Sequence, residues 1–173
     1  MKRIGLIVLA LAILTGCKDD EIAVPKAVSL TEENVSFFCQ MNVLEHGGPK
    51  AQVHLEGYPS PLFFAQVRDA IAYLKSPERE ARVLVTYVSD MGAAEAWDRP
   101  GIDNWIASDA AVFVIEARVA GGMGAPEVVP FSSPTGAQSF TDTFGGQVVQ
   151  FSEIPDETVF GAVDPDEKLL VPN

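Results

Sequence analysis

The stretch AVFVIEARVAGGMGAPEVVPFSSPTGAQSFTDTFGGQVVQF, Ala111–Phe151, carries one complete structural unit. Ala111 to Val119 is apolar and rich in β-branched residues, as a buried strand requires. GGMGAP is a turn, and Glu127 to Phe131 a second strand. Ser133 then offers an acceptor to the free N–H groups of a helix's first turn, with Pro134 at the first helical position, where no N–H is needed. Ala137, Phe140 and Phe144 make an apolar stripe at helical spacing, Gly145-Gly146 stops the helix, and Gln147 to Phe151 is a closing strand. The order is ββαβ.

The same order reads upstream. Val35, Phe37, Cys39, Met41 and Val43 alternate with polar residues, which predicts a strand; Ala51 to Leu55 predicts another after the His46-Gly47-Gly48-Pro49 turn. Ser60-Pro61 repeats the cap, Phe64, Val67, Ile71 and Leu74 supply the stripe, Ser76-Pro77 ends the helix, and Arg82 to Val88 closes the unit. The expectation is an α+β chain of two homologous ββαβ lobes packed together, at 34–90 and 109–152. Around them lie a connector (91–108) containing Trp97 and Trp105, a flexible tether (18–33) and an extended, acidic, Pro-containing tail (153–173). Aligning Pro49 with Pro126 sets Met123 opposite His46, each in a Gly-rich turn. Both also read simply as exposed turn residues.

The N-terminus sets the compartment. Lys2 and Arg3, the apolar run Ile4 to Leu14 and the ending Leu14-Thr15-Gly16-Cys17 form an export signal, too short for the roughly 20 residues of a membrane-spanning helix. Its end looks like a bacterial lipobox, which predicts removal of residues 1–16, a lipid on Cys17 and attachment to a membrane outside the cytoplasm. Lys18, rather than Asp, beside that cysteine leans towards the outer membrane. With 24 acidic residues against 12 Lys plus Arg and a net charge of −12, the chain is unsuited to nucleic acid or to electrostatic binding of anionic lipid. The predicted membrane link is therefore the lipid itself.

Of two cysteines, lipidation of Cys17 leaves Cys39 without an intramolecular disulfide partner in an oxidising compartment. On a strand, Cys39 and Met41 would point to one face, and thiolate with thioether is a soft donor pair that favours Cu(I); an imidazole from His46 would fit the same ion. Zinc sites rarely use Met, and no oxygen-rich loop suits Ca²⁺ or Mg²⁺. The competing reading is a small buried cysteine and a core methionine. Thiol catalysis lacks support, because neither His46 nor His54 comes with an orienting third group and no nucleophile motif is present.

The run CQMNVLEHGGPKAQ (Cys39–Gln52), with Tyr87-Val88-Ser89-Asp90, Trp105-Ile106-Ala107, Met123-Gly124 and Gly145-Gly146-Gln147-Val148-Val149, resembles the NosL family of lipid-anchored copper chaperones that serve nitrous oxide reductase maturation. The resemblance covers residues of about 34 to 152. It implies two lobes of repeated ββαβ units, similar in topology to a domain of organomercurial lyase, but no lyase activity, since that chemistry needs a second catalytic cysteine. It further implies periplasmic Cu(I) binding by Cys39, Met41 and Met123, with His46 matching the family's turn histidine, and transfer of copper to apo nitrous oxide reductase with an ABC-type membrane maturation complex. Many members of the family have glycine where this chain has Gln40. The rival expectation is a metal-free lipoprotein scaffold for a membrane assembly complex.

Overall fold

The computed structural model describes residues 23–172. The export signal and Cys17 lie outside the described residues. Two antiparallel sheets form an α+β fold. The first contains β1 (Ala51–Leu55), β2 (Leu62–Phe64), β3 (Val83–Ser89) and β4 (Trp105–Ala107) in the order β2-β1-β3-β4. The second contains β5 (Val112–Ile115), β6 (Val129–Phe131) and β7 (Gln147–Gln150) in the order β6-β5-β7. Helix α1 (Val67–Lys75) connects β2 to β3, and α2 (Pro134–Phe144) connects β6 to β7. Both units therefore wind alike: a hairpin, a helix, and a return strand on the far side of the first strand.

The first unit divides differently from the sequence expectation. Val35–Val43 is no strand: Gln40 N–H donates to the Ser36 carbonyl at 2.9 Å, and Ser36 N–H donates to the Met41 carbonyl at 2.8 Å, closing a tight turn. Gln40 sits at φ 57°, and Phe37 and Phe38, although consecutive, both lie against Phe64. The alternation of apolar residues here reflects a turn pinned by two aromatic rings. Ser60-Pro61 likewise caps nothing. It ends the β1–β2 turn, Val53 pairs with Leu62, and α1 begins only after Gln66. In the second unit, Ser133 does cap α2, its hydroxyl accepting the Gly136 N–H at 3.1 Å. Because β5–β6 corresponds in winding to β1–β2, the counterpart of the Met123 turn is the turn before Leu62, and the alignment of Met123 with His46 fails as topology.

One core spans both units. Ala51, Val53 and Leu55 of β1 and Val67, Ala70 and Ile71 of α1 pack with Phe113 and Ile115 of β5, while Val112 and Val114 face the other way into a second cluster with Val129, Phe131 and Ala137. Strand β5 is buried on both faces, which is why its sequence is an unbroken apolar run. Gln52 and His54 of β1 are buried as well. The segment from Pro25 to Leu30, expected as free tether, lies over them: the Gln52 amide exchanges hydrogen bonds with the Val28 backbone at 2.8 and 2.9 Å, and the Tyr87 hydroxyl donates to the Pro25 carbonyl. The segment after Ser152 is also packed. Helix α3 (Asp156–Phe160) sits on α1, tied by the Lys75–Asp156 ion pair and by Arg68 donating to the Gly161 carbonyl at 2.9 Å.

Candidate metal site

The turn Ser36–Met41 places Cys39 half-buried and Met41 at the surface, 40% exposed. From Met41 the chain enters a single 3-10 turn, Val43–Glu45, whose first free N–H groups are met by the Asn42 side chain accepting from Leu44 at 2.8 Å. That turn delivers His46. The second glycine after it is required by the backbone: Gly48 adopts φ +81°, its N–H donates to the Trp97 carbonyl at 2.7 Å, and a Cβ on it would lie 3.2 Å from the indole. Trp97 is itself buried and stacked on Phe140 of α2.

Beneath the turn, Lys50 is almost wholly buried. Its ammonium donates to the carbonyls of Gly47 at 3.0 Å, Gly48 at 2.8 Å and Ala65 at 3.2 Å, a cation held by backbone oxygens alone. Burial lowers it to about 8, partly countered by the nearby charge of Glu127. Glu127, fully buried, is pushed up to about 8 by the same loss of solvent. One of its carboxyl oxygens accepts the backbone N–H groups of Arg68 and Val128, each at 2.9 Å, while Oε2 has no partner.

The second unit approaches through the Gly121-Gly122-Met123 turn. Nδ1 of His46 lies 3.1 Å from the Gly122 carbonyl. A carbonyl can only accept, so Nδ1 carries the hydrogen and Nε2 keeps its lone pair. That Nε2 is buried and has no hydrogen-bond partner. An imidazole whose far nitrogen is fixed to a carbonyl and whose near nitrogen is free is the arrangement found in histidine metal ligands. Gly122 admits no side chain, since a Cβ would fall 2.5 Å from His46 Cβ and 2.8 Å from the Gly47 carbonyl. The next residue, Met123, has its N–H held by Gln66 Oε1 at 2.7 Å and its side chain 42% exposed.

The four residues singled out in the sequence therefore fall on two segments. Cys39, Met41 and His46 share one stretch of chain, Met123 comes from the other unit, and the His46–Gly122 hydrogen bond joins the two. Cys39 and Met41 lie on a turn and not, as expected, on one face of a strand. Among the described residues no group of three His, Cys, Asp or Glu side chains is positioned to hold a metal. A site built from Cys39, Met41, His46 and Met123 would draw on two thioethers, donors that suit a soft ion. Sequence reading missed Lys50, Gln66 and Glu127. Two of them had a signal: Lys50 directly precedes the expected strand Ala51–Leu55 and Glu127 opens the expected strand Glu127–Phe131, and a charge next to a buried strand is costly if unpaired.

Comparison with known proteins identifies relatives of this chain. The NosL family profile matches residues 27–159. The copper-binding lipoprotein NosL of Achromobacter cycloclastes is 52% identical over 163 residues, covering 94% of this chain and 84% of the relative. That of Stutzerimonas stutzeri is 28% identical over 144 residues, covering 82% and 73%. Among solved structures, the crystal structure of the copper chaperone NosL from Shewanella denitrificans superposes with a TM-score of 0.70 at 28% identity, covering 75% of this chain and 95% of that one. The solution structure of apo-NosL from Achromobacter cycloclastes gives 0.50 at 52% identity, covering 70% and 97%. The chain belongs to the NosL family.

Proposed function

We propose that this protein is a Cu(I)-binding periplasmic lipoprotein, a carrier and not an enzyme, that delivers copper for assembly of the nitrous oxide reductase copper centres. The observation that carries the reading is the His46–Gly122 hydrogen bond, which sets the Met123 turn against the Cys39–His46 segment. Cys39, Met41 and Met123 supply sulfur and His46 supplies Nε2, a donor set matched to a soft monovalent ion. The naming of two relatives as copper-binding lipoproteins supports the same ion and a lipid anchor, here on Cys17. The Lys18 that follows it favours the outer membrane.

Copper is cargo in this account. Met41 and Met123 are each about two-fifths exposed, so a recipient's ligands can approach the ion while it is still bound and replace the thioethers one at a time. The recipient is apo nitrous oxide reductase, reached with an ABC-type membrane maturation complex. Anaerobic loading with Cu(I), desalting and metal analysis test the reading. Retention of one copper by wild type and weakened retention by Cys39→Ala are expected. A metal-free scaffold retains none in either protein.

A further inference from the structure

Gln66 occupies an unusual place. It is the N-cap of α1, yet its side chain caps nothing in the helix. It is 2% exposed, and its Oε1 accepts the N–H of Met123, a residue of the other unit, at 2.7 Å. A Cβ on Gly121 would stand 2.7 Å from that same oxygen and 2.5 Å from Glu127 Oε2, so the backbone of the turn lies flat against the two side chains. The preceding residue, Ala65, has its carbonyl bound to Lys50, whose ammonium also grips Gly47 and Gly48 directly after His46. A continuous polar path thus runs from the His46 turn through Lys50 to Ala65-Gln66 and on to Met123.

We infer that Gln66 is the positioning residue for Met123, fixing the second unit's thioether at the Cu(I) site formed with Cys39, Met41 and His46. The inference rests on the copper reading above. Two hydrogen bonds hold the Met123 turn from opposite sides, His46 on the Gly122 carbonyl and Gln66 on the Met123 N–H. With only the first, the turn stays near His46 but the methionine backbone is free to rotate, and its sulfur loses a fixed approach. Oε1 of this buried amide is committed to that one N–H. Shape alone would be met by leucine.

The test compares Cu(I) affinity, by competition with a chromophoric chelator, in wild type, Gln66→Leu, Gln66→Glu, Met123→Ala and the Gln66→Leu/Met123→Ala double variant, with X-ray absorption on each copper form. Gln66→Leu is expected to weaken Cu(I) by about fivefold to tenfold, the range expected for one buried hydrogen bond, and to remove one sulfur neighbour. Gln66→Glu keeps the acceptor but sets a carboxyl beside Glu127 and Asp69, so it should retain that neighbour at a cost in stability, and the double variant should be no weaker than Met123→Ala. If Met123→Ala weakens copper while Gln66→Leu leaves affinity and sulfur count unchanged, the inference on Gln66 is overturned and the copper site stands. If Met123→Ala itself changes neither, the ligand reading is wrong and the role of Gln66 goes with it. Should Gln66→Leu not fold, amide exchange in wild-type protein decides: a protected Met123 N–H supports the inference, and exchange at the rate of an open loop overturns it.

Discussion

His46 Nδ1 and the Gly122 carbonyl oxygen are 3.1 Å apart, a hydrogen bond between the two segments that carry the candidate ligands. It also fixes the tautomer. In metal-free protein the His46 ring is expected to carry its hydrogen on Nδ1, which ¹⁵N-edited long-range correlation spectra of the imidazole distinguish directly. An Nε2–H tautomer would break the hydrogen bond and occupy the lone pair that copper needs.

Gly122 is the position at which the two turns touch. Gly122→Ala introduces a Cβ 2.5 Å from His46 Cβ, so one of the turns must move. Overpacking of this kind costs about 1–3 kcal/mol. Chemical denaturation should show that loss, and Cu(I) competition should show a weaker site. The neighbouring Gly124, which has open space around it, is adjusted to its own turn by a φ of +82° and lacks any such clash.

Lys50 is held by three carbonyls, and replacing it with methionine keeps the stem while leaving those oxygens buried and unpaired. Loss of one partner of a buried charged hydrogen bond costs on the order of 3 kcal/mol. Lys50→Met is therefore expected to lower stability by about that amount in urea titration and to loosen the Gly47-Gly48 turn. Lys50→Arg is no rescue, because a planar fork does not fit a pocket built for a compact ammonium.

Glu127 gives the protein a pH dependence. Its carboxyl is raised to about 8 in the fold from an ordinary 4.5, so between those values the folded chain holds a proton that the unfolded chain has released. Stability contributed by the neutral carboxyl is complete below about pH 4.5 and is lost as pH rises through 8. Glu127→Gln removes the titration. The prediction is that wild type loses stability relative to Glu127→Gln as pH climbs from 5 to 8, by up to a few kcal/mol, each tenfold displacement of the proton equilibrium being worth about 1.4 kcal/mol. Parallel stability curves for the two proteins across that range would contradict it.

Much of this fold was legible in the residues, and the failures have physical causes. In the second unit the order of elements read as it is built because its signals are local: Ser133 and Pro134 act within one helix turn, Gly145 accepts φ 76° at its end, and β5 is apolar on both faces, although it stops at Ile115, where Glu116 takes φ 58°, short of the expected Val119. The first unit misled because Ser60-Pro61 repeats a cap motif that the β1–β2 pairing overrides, and because Val35–Val43 imitates strand alternation while Gln40 turns the chain at φ 57°. The candidate ligands were visible as types, Cys, Met and His. What sets the two turns against each other was not, since Gln66 and His46 bond to backbone groups 57 and 76 residues away.

Gln40 is itself a test of that turn. A left-handed conformation costs a residue with a side chain about 1–2 kcal/mol, partly offset by the greater freedom glycine loses on folding. Gln40→Gly should leave Cu(I) affinity unchanged and shift stability by less than about 1 kcal/mol, which thermal unfolding and chelator competition measure.

The central claim is that one Cu(I) ion is held jointly by the Cys39–His46 segment and the Met123 turn. X-ray absorption on the copper-loaded protein tests it most directly, with wild type measured beside Cys39→Ala and Met123→Ala. The account predicts a sulfur-dominated shell in wild type that loses a sulfur neighbour in each variant. A shell without sulfur, or one that Met123→Ala leaves unchanged, would contradict it.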